Sequence, residues 1–218
     1  MPPGGMDATI DFWQRTAFNP VSIFSEDFRV IAIDQRNSGK SKGPINENDP
    51  WADYLSDHIK LLDHLGIDRC LLLGCCIGAS YALRLMVSAP ERVAAAVLEQ
   101  PVGVDESNRK SMPNNWEPWA KALSDTRSDL DPESLAAYGR RMWEKDFVLS
   151  VSREDVAACS VPMLVLPGID SLHPTEIGNE IAALAPHSQL LSPWKEPTEL
   201  VPKTVKRIRE FLLHHASN

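Results

Sequence analysis

The sequence has no long apolar run, no surplus of positive charge and no regular cysteine spacing. Its apolar stretches fall short of the roughly 18 residues that a membrane-spanning helix needs. No charged-then-apolar leader opens the chain, so we expect neither membrane insertion nor secretion. The net charge of −8 argues against nucleic acid as a partner, because phosphate recognition requires a basic face. One basic cluster is predicted to be the solvated face of a terminal helix: Lys203, Lys206, Arg207 and Arg209.

Only four cysteines are present, and they fit neither a disulfide framework nor a metal-binding spacing: Cys70, Cys75, Cys76 and Cys159. A bridge between the adjacent Cys75 and Cys76 would be strained. We therefore expect reduced cysteines, a cytoplasmic location and no metal site. The 218 residues, 43% of them hydrophobic, are enough for one sizeable core and require no second independent domain.

A strand, a sharp turn and a helix are predicted around the segment Gly74-Cys75-Cys76-Ile77-Gly78. In this Gly-x-Cys-x-Gly pattern the glycines remove side chains where the strand and helix backbones approach each other, and the turn presents Cys76 at the carboxyl end of the strand. The helix N-terminus favours a thiolate, and the amide of Ile77 is placed to face an oxyanion. The alternative is a buried, inert cysteine in a tight turn.

Apolar runs and helical patterns alternate along the chain on both sides of this motif. An N-cap and proline, Asp49-Pro50, begin a helix with an apolar face that continues to Gly66. Besides the strand before Cys76, buried strands are predicted at residues 28–34, 93–101, 161–168 and 188–191. Repeated strand-helix-strand units at this pitch predict an α/β fold, a three-layer sandwich with a mostly parallel sheet.

Residues 103–158 interrupt the alternation with two helical stretches, 116–124 and 133–145, that are rich in aromatic residues. Because this insertion falls between two sheet strands, we predict a helical lid over the Cys76 turn. Helices packed against the side of the sheet are the alternative. Three indole side chains of the insertion suit an apolar ligand but equally suit plain packing: Trp116, Trp119 and Trp143.

Besides composition and periodicity, four sequence segments indicate one family. They are the Asp-x-Arg-x-x-Gly-x-Ser loop at 34–41, the Cys76 turn with the segments 89–93 and 98–101 that follow it, the strand and loop at 162–174, and the Pro-Gly-Gly-Met loop at 3–6. With these segments the chain resembles the α/β-hydrolase fold superfamily over essentially its whole length. The resemblance implies a nucleophile at Cys76, a triad acid at Asp170, and an oxyanion hole formed by Ile77 with Gly5 or Met6. The cysteine itself is similar to that of dienelactone hydrolases, which belong to the same superfamily.

Two features differ from the family pattern. The loop after the last strand, where the family has its catalytic histidine, reads Leu-Ser-Pro-Trp-Lys-Glu-Pro at 191–197. Family members also carry strands before the oxyanion loop at 3–6, one of them beside the strand that leads to Cys76. The sequence begins at that loop, which leaves three alternatives: a misplaced start codon, a sheet that has closed the gap, or a partner chain that covers the edge.

His173 is the candidate replacement for the missing base, because it lies three residues after Asp170 in a loop at the carboxyl edge of the predicted sheet. The alternative is that His173 caps the following helix. The other five histidines are expected to be structural or solvated: His58, His64, His187, His214 and His215. A thiolate needs less help from a base than a hydroxyl does, so the missing histidine matters less to cysteine than to serine.

The first functional hypothesis is an enzyme that acts on a small, fairly apolar ester, lactone or dicarbonyl compound through Cys76, Asp170 and His173. It needs no cofactor. A lyase, isomerase or cyclase on the same scaffold is a second hypothesis, and a non-catalytic binding protein is a third. The expected organisation is a core of residues 1–102 and 159–218 with the lid at 103–158. The expected partner is a small molecule, with possible self-association through the N-terminal edge of the sheet.

Overall fold

Four parallel strands form the centre of the fold, in the order β1-β2-β3-β4. They are β1 (Cys70–Cys75), β2 (Val93–Glu99), β3 (Met163–Leu166) and β4 (Ser188–Leu190). The structure is a computed structural model that describes residues 1–112 and 115–216. The register pairs Gly74 with Leu98 and Leu98 with Val165, so the carboxyl ends of the first three strands meet at one edge.

Eight α-helices accompany the sheet in the described part of the chain. They are α1 (Pro20–Ile23), α2 (Pro50–His64), α3 (Ile77–Ser88), α4 (Glu117–Thr126), α5 (Pro132–Trp143), α6 (Arg153–Ala158), α7 (Thr175–Leu184) and α8 (Val201–Ala216). The predicted start of α2 is confirmed, because the Asp49 side chain accepts a hydrogen bond from the amide of Ala52. Short 3-10 helices lie at Gly5–Asp7, Ile10–Arg15, Pro90–Arg92 and Thr198–Leu200.

The sheet is covered on both faces, which confirms the predicted three-layer α/β architecture. In β2 the side chains alternate between the two layers: Ala96 and Leu98 join a core with α2, α3, α6 and α7, whereas Ala95 and Val97 join a core with α8. This alternation follows from the two-residue period of a strand. A third core, formed by α4, α5 and the N-terminal loops, lies against the carboxyl edge and includes Cys76.

The predicted strand at residues 28–34 is wrong. These residues have no strand pairing, and Val30 and Ile31 are 36% and 38% exposed. A strand is stable only where a neighbour takes up its backbone hydrogen bonds, and between this segment and β1 lies an open groove. The segment is apolar, as its sequence shows, but no described strand pairs with it.

The inserted helices pack against one another and against α2 rather than extending away from the core. An antiparallel bridge between Val104 and Phe147 closes the base of the insertion. Beyond this bridge, Val148, Val151 and Val156 belong to the first core, so the chain has already returned to the sheet before β3 begins. The part of the insertion that lies over the carboxyl edge therefore comprises α4 and α5.

Candidate active site

Cys76 lies between β1 and α3 in a strained backbone conformation. Its φ of 57° and ψ of −122° fall outside the regions that residues with a side chain ordinarily occupy. The conformation is held from both sides: the amide of Cys76 donates to the carbonyl of Glu99 at 3.0 Å, and its carbonyl accepts from Ala79 at 3.1 Å. Strain of this kind persists only where the surroundings fix it, and it is concentrated at functional sites.

The two glycines of the motif have the steric role that their spacing predicts. A Cβ on Gly74 would overlap the carbonyl group of Gly78, and a Cβ on Gly78 would overlap the carbonyl group of Met1. Both obstacles are backbone atoms, which cannot move aside as a flexible side chain would. The turn therefore requires glycine on both sides of Cys76.

Asp170 and His173 share one tight turn after β3. The carboxylate Oδ1 of Asp170 accepts hydrogen bonds from the amides of Leu172 and His173, both at 3.0 Å. The same carboxylate lies 2.8 Å from Nδ1 of the His173 ring. Because Nδ1 is engaged, Nε2 is the nitrogen that remains for another group, and it is buried without a hydrogen-bond partner.

The thiol of Cys76 interacts with this imidazole. Burial opposes ionisation of the thiol, yet the adjacent His173 imidazole outweighs burial and lowers the pKa of Cys76. The reciprocal effect is seen on the imidazole: burial lowers its pKa, but Cys76 and then Asp170 raise the pKa of His173 to about 8. Their mutual stabilisation favours a thiolate-imidazolium pair.

Two backbone amides also stabilise the sulfur. The hydrogen bonds of Ile77 and Gly4 add to the lowering of the Cys76 pKa. The sequence interpretation named Ile77 with Gly5 or Met6, and the structure places Gly4, one residue earlier, against the sulfur. Gly4 adopts a φ of 127°, a conformation in which glycine is strongly preferred. The glycine pair was the available sequence signal, but it did not show which amide points inward.

The other two oxyanion-loop residues lie close to the site in different roles. Met6 is buried in the core that contains Cys76, and its carbonyl accepts a hydrogen bond from the Ser38 hydroxyl at 2.6 Å. A Cβ on Gly5 would lie 3.9 Å from the ring of Trp143. The loop is thus fixed between the Asp34–Ser41 turn and the inserted helices.

The three indoles predicted to bind substrate all lie in the core that covers Cys76: Trp116, Trp119 and Trp143. Trp119 Nε1 donates to the carbonyl of Asn37 at 3.0 Å, which attaches α4 to the turn after residue 34. The indole nitrogens of Trp116 and Trp143 are buried without a partner. Packing alone therefore leaves these two buried donors unsatisfied.

The Asp-x-Arg-x-x-Gly-x-Ser segment is a structural turn beside the site. Asp34 accepts hydrogen bonds from the amides of Ile10 and Lys40, at 2.9 Å and 3.0 Å. Arg36 forms a two-pronged ion pair with Asp57 of α2, at 2.6 Å and 2.8 Å. These contacts hold the turn, and through Asn37 they hold the covering helix.

Among the remaining histidines, His58 has a clear structural role. It is buried, its Nε2 lies 2.8 Å from Oε1 of Gln35, and burial lowers its pKa to about 3. His187 is exposed at the opposite end of the sheet, where its carbonyl accepts from the amide of Met163. Of these three histidines, only His173 lies beside Cys76.

Sequence reasoning missed a buried ionisable group beneath Cys76. Burial raises the pKa of Glu99 to about 8, although the nearby Met1 amino group partly opposes this rise. Burial lowers the pKa of the Met1 amino group to about 6. The neighbouring Cys75 is also buried, and its pKa is raised well above the ordinary value, first by burial and then by Glu99. Among Glu99, the Met1 amino group and the two thiols, only Cys76 has a pKa shifted in favour of its charged form.

The part of the chain that the structure describes contains no helix long and apolar enough to cross a membrane. Over the same residues, no group of three or more His, Cys, Asp or Glu side chains is arranged to hold a metal ion.

A family model for the alpha/beta hydrolase fold matches residues 3–158, well over half of the chain. The parallel sheet, the strained turn at Cys76 and the helices on both faces are the features of that fold. The chain therefore belongs to the α/β-hydrolase fold family, and its expected fold class is confirmed.

Curated relatives match smaller parts of the chain. A protein named "Probable proline iminopeptidase" of Leptolyngbya boryana is 30% identical over 158 residues, which are 66% of this chain and 44% of that protein. "Epoxide hydrolase 4" of Homo sapiens is 30% identical over 89 residues, 40% of this chain and 24% of that protein. The chain thus covers less than half the length of the curated relatives that it matches first.

Solved structures match over nearly the whole chain. A meta-cleavage product hydrolase from Pseudomonas fluorescens IP01 superposes with a TM-score of 0.70 at 20% identity, covering 97% of this chain and 88% of that one. At this identity the likeness shows the fold alone.

Proposed function

We propose that the protein is a cysteine-dependent hydrolase of small, fairly apolar carbonyl compounds. The most direct support is the arrangement of three side chains. Asp170 bonds to His173, and His173 in turn acts on Cys76, whose thiol ionises more readily than that of an ordinary cysteine. In this proposal His173 replaces the histidine that the family carries after its last strand. The related hydrolases are consistent with this reaction class.

The proposed reaction begins with attack of the Cys76 thiolate on the substrate carbonyl carbon. A carbon-sulfur bond forms, and the carbonyl electron pair moves to oxygen, where the amides of Ile77 and Gly4 stabilise the charge. As the oxyanion collapses, the bond to the leaving group breaks and the His173 imidazolium supplies its proton.

Water completes the cycle in the second half of the proposed reaction. Neutral His173 removes a proton from a water molecule as the water oxygen attacks the thioester carbon. The acid product leaves, the thiolate is regenerated, and His173 retains the proton for the next turnover. Asp170 holds Nδ1 throughout, which keeps Nε2 directed at the reacting atoms.

The covering helices define the proposed substrate class. The surroundings of Cys76 are aromatic and apolar, which favours a compact ester, lactone or dicarbonyl compound over a charged polymer. The free indole donors of Trp116 and Trp143 are suited to an oxygen atom beside the reacting carbonyl. We propose that α4 and α5 serve as the lid and that substrate binds beneath them.

The test is steady-state hydrolysis of p-nitrophenyl acetate and a small lactone by wild type, Cys76→Ala and Cys159→Ala. Cys159 is a matched control, because it is a buried cysteine on the far side of the first core. We expect Cys76→Ala to lose at least about 100-fold in kcat, as removal of a nucleophile does, and Cys159→Ala to retain activity. Equal activity in wild type and Cys76→Ala would overturn the proposal and favour acid-base chemistry by Asp170 and His173.

A further inference from the structure

The turn that carries Asp170 and His173 exposes two apolar side chains to solvent. Ile169 is 54% exposed and Leu172 is 44% exposed. The hydrogen bonds between Asp170 and His173 fix the shape of the turn, because both partners lie within it. The position of the turn relative to Cys76 depends instead on contacts with other parts of the chain.

One such contact comes from Asn108, a buried residue near the start of the insertion. Its Nδ2 donates to the carbonyl of Ser171 at 2.8 Å, across 63 residues of sequence. The same nitrogen donates to the carbonyl of Gly103 at 2.8 Å, and Oδ1 accepts from the amide of Asp105 at 3.0 Å. Two of these partners are carbonyls and the third is an N–H, so the reversed amide would satisfy none of them.

The link is anchored at a closely packed point of the fold. A Cβ on Gly103 would overlap the carbonyl of Phe147 and the side chain of Ile177 in α7. The residue after Gly103 forms the antiparallel bridge with Phe147. Asn108 therefore connects the Asp170–His173 turn to the closed base of the insertion.

One helical turn also joins Asn108 to the core around Cys76. The carbonyl of Asn108 accepts from the amide of Met112 at 3.0 Å. Met112 is fully buried in the core that contains Cys76. Asn108 thus connects this core with the turn of His173.

We propose that Asn108 is a positioning residue that holds the Asp170–His173 turn against Cys76. The inference rests on the proposed function, in which Nε2 of His173 must meet the sulfur. Without Asn108 the carbonyl of Ser171 loses its protein donor, and the turn is free to move toward solvent. A displacement of about 1 Å is enough to lower a catalysed rate on the order of 100-fold.

The test is a double-mutant cycle between Asn108→Ala and His173→Gln, read as the rate at which iodoacetamide alkylates Cys76 at neutral pH. We expect Asn108→Ala to slow alkylation at least about threefold in the wild-type background. In the His173→Gln background it should have no further effect, because Asn108 acts through the imidazole.

Ser111→Ala is the matched control. The Ser111 hydroxyl donates to the carbonyl of Asn108 at 3.0 Å. Its removal deletes a hydrogen bond of the same segment and leaves the one to Ser171 intact. This variant should alkylate at the wild-type rate in both backgrounds.

Hydrolysis of p-nitrophenyl acetate separates this inference from the proposed function. Asn108→Ala should lower kcat on the order of tenfold or more and leave KM nearly unchanged, because only the geometry of the reacting groups is altered. If Cys76→Ala hydrolyses the ester as fast as wild type, the proposed function fails. The alkylation cycle still decides the role of Asn108 in that case, because alkylation requires no turnover.

A second variant covers the case in which alanine disturbs the local fold. Asn108→Asp keeps the acceptor for the Asp105 amide but lacks both donors, so it should slow alkylation as Asn108→Ala does. Alkylation of the folded variants at the wild-type rate would overturn the inference. Equal slowing in the wild-type and His173→Gln backgrounds, or unfolding of both variants in circular dichroism, would also overturn it, since either result assigns Asn108 to the fold alone.

Discussion

Replacing His173 with glutamine should raise the pKa of the Cys76 thiol above its ordinary value. In wild type, the effect of burial on the thiol is outweighed by the adjacent His173 imidazole and its charge. Glutamine keeps a hydrogen-bonding group at the position but carries no charge. Burial should then dominate, and the thiolate should become rare at neutral pH.

The size of this effect follows from the partner residue. The pKa of His173 is raised from 6.5 to about 8 against the effect of burial. A shift of this size corresponds to roughly 2 kcal/mol of stabilisation of the imidazolium. Because coupling between two groups is reciprocal, loss of the imidazolium should lower the thiolate population of Cys76 on the order of tenfold or more.

The assay is the rate of alkylation by iodoacetamide between pH 5 and 10, read by intact mass. Burial raises the pKa of the other three cysteines, Cys70, Cys75 and Cys159. Near neutral pH the first adduct should therefore form on Cys76. Cys76→Ala should abolish this adduct, and His187→Gln, an exposed histidine variant, should alkylate like wild type. An identical pH profile for His173→Gln and wild type would refute the ion pair.

Three further predictions concern charge and shape around the site. Asp170→Asn removes a carboxylate that raises the pKa of His173, so the alkaline limb of the kcat/KM profile should move below about pH 8. Gly78→Ala should lower the unfolding free energy by about 1–3 kcal/mol in urea titration, because its Cβ would overlap backbone atoms. Glu99 keeps its proton to about pH 8 when folded but ionises near 4.5 when unfolded, so folding weakens as pH rises between those values. Glu99→Gln should remove this slope in thermal melts, by roughly 1.4 kcal/mol per pH unit, whereas Glu91→Gln at an exposed site should not.

Local signals made much of the fold predictable. The Asp49-Pro50 start of α2, the turn around Cys76 and the apolar runs of β2 and β3 each specify their own conformation through caps, glycine spacing and burial. The strand predicted at residues 28–34 failed for a non-local reason, since pairing depends on a neighbour that the run itself does not encode. The apolar residues instead line an open groove.

The candidate site was predictable to a smaller extent. Spacing predicted the turn at Cys76, the family resemblance indicated Asp170, and His173 was a candidate because it lies three residues later in the same loop. Which amide of the Gly4-Gly5 pair points inward depends on backbone torsions that composition does not determine. The buried state of Glu99 was also hidden, because a charged residue at the end of a strand is usually exposed.

Intact-mass spectrometry during turnover of an activated short-chain ester tests the central claim most directly. Wild type should show a transient adduct of one acyl group that maps to the peptide containing Cys76 and disappears at the rate of product release. His173→Gln should form less adduct, or clear it more slowly, and Cys76→Ala should form none. Ester hydrolysis without any adduct, or with an adduct on another residue, would contradict the account of Cys76 as the nucleophile.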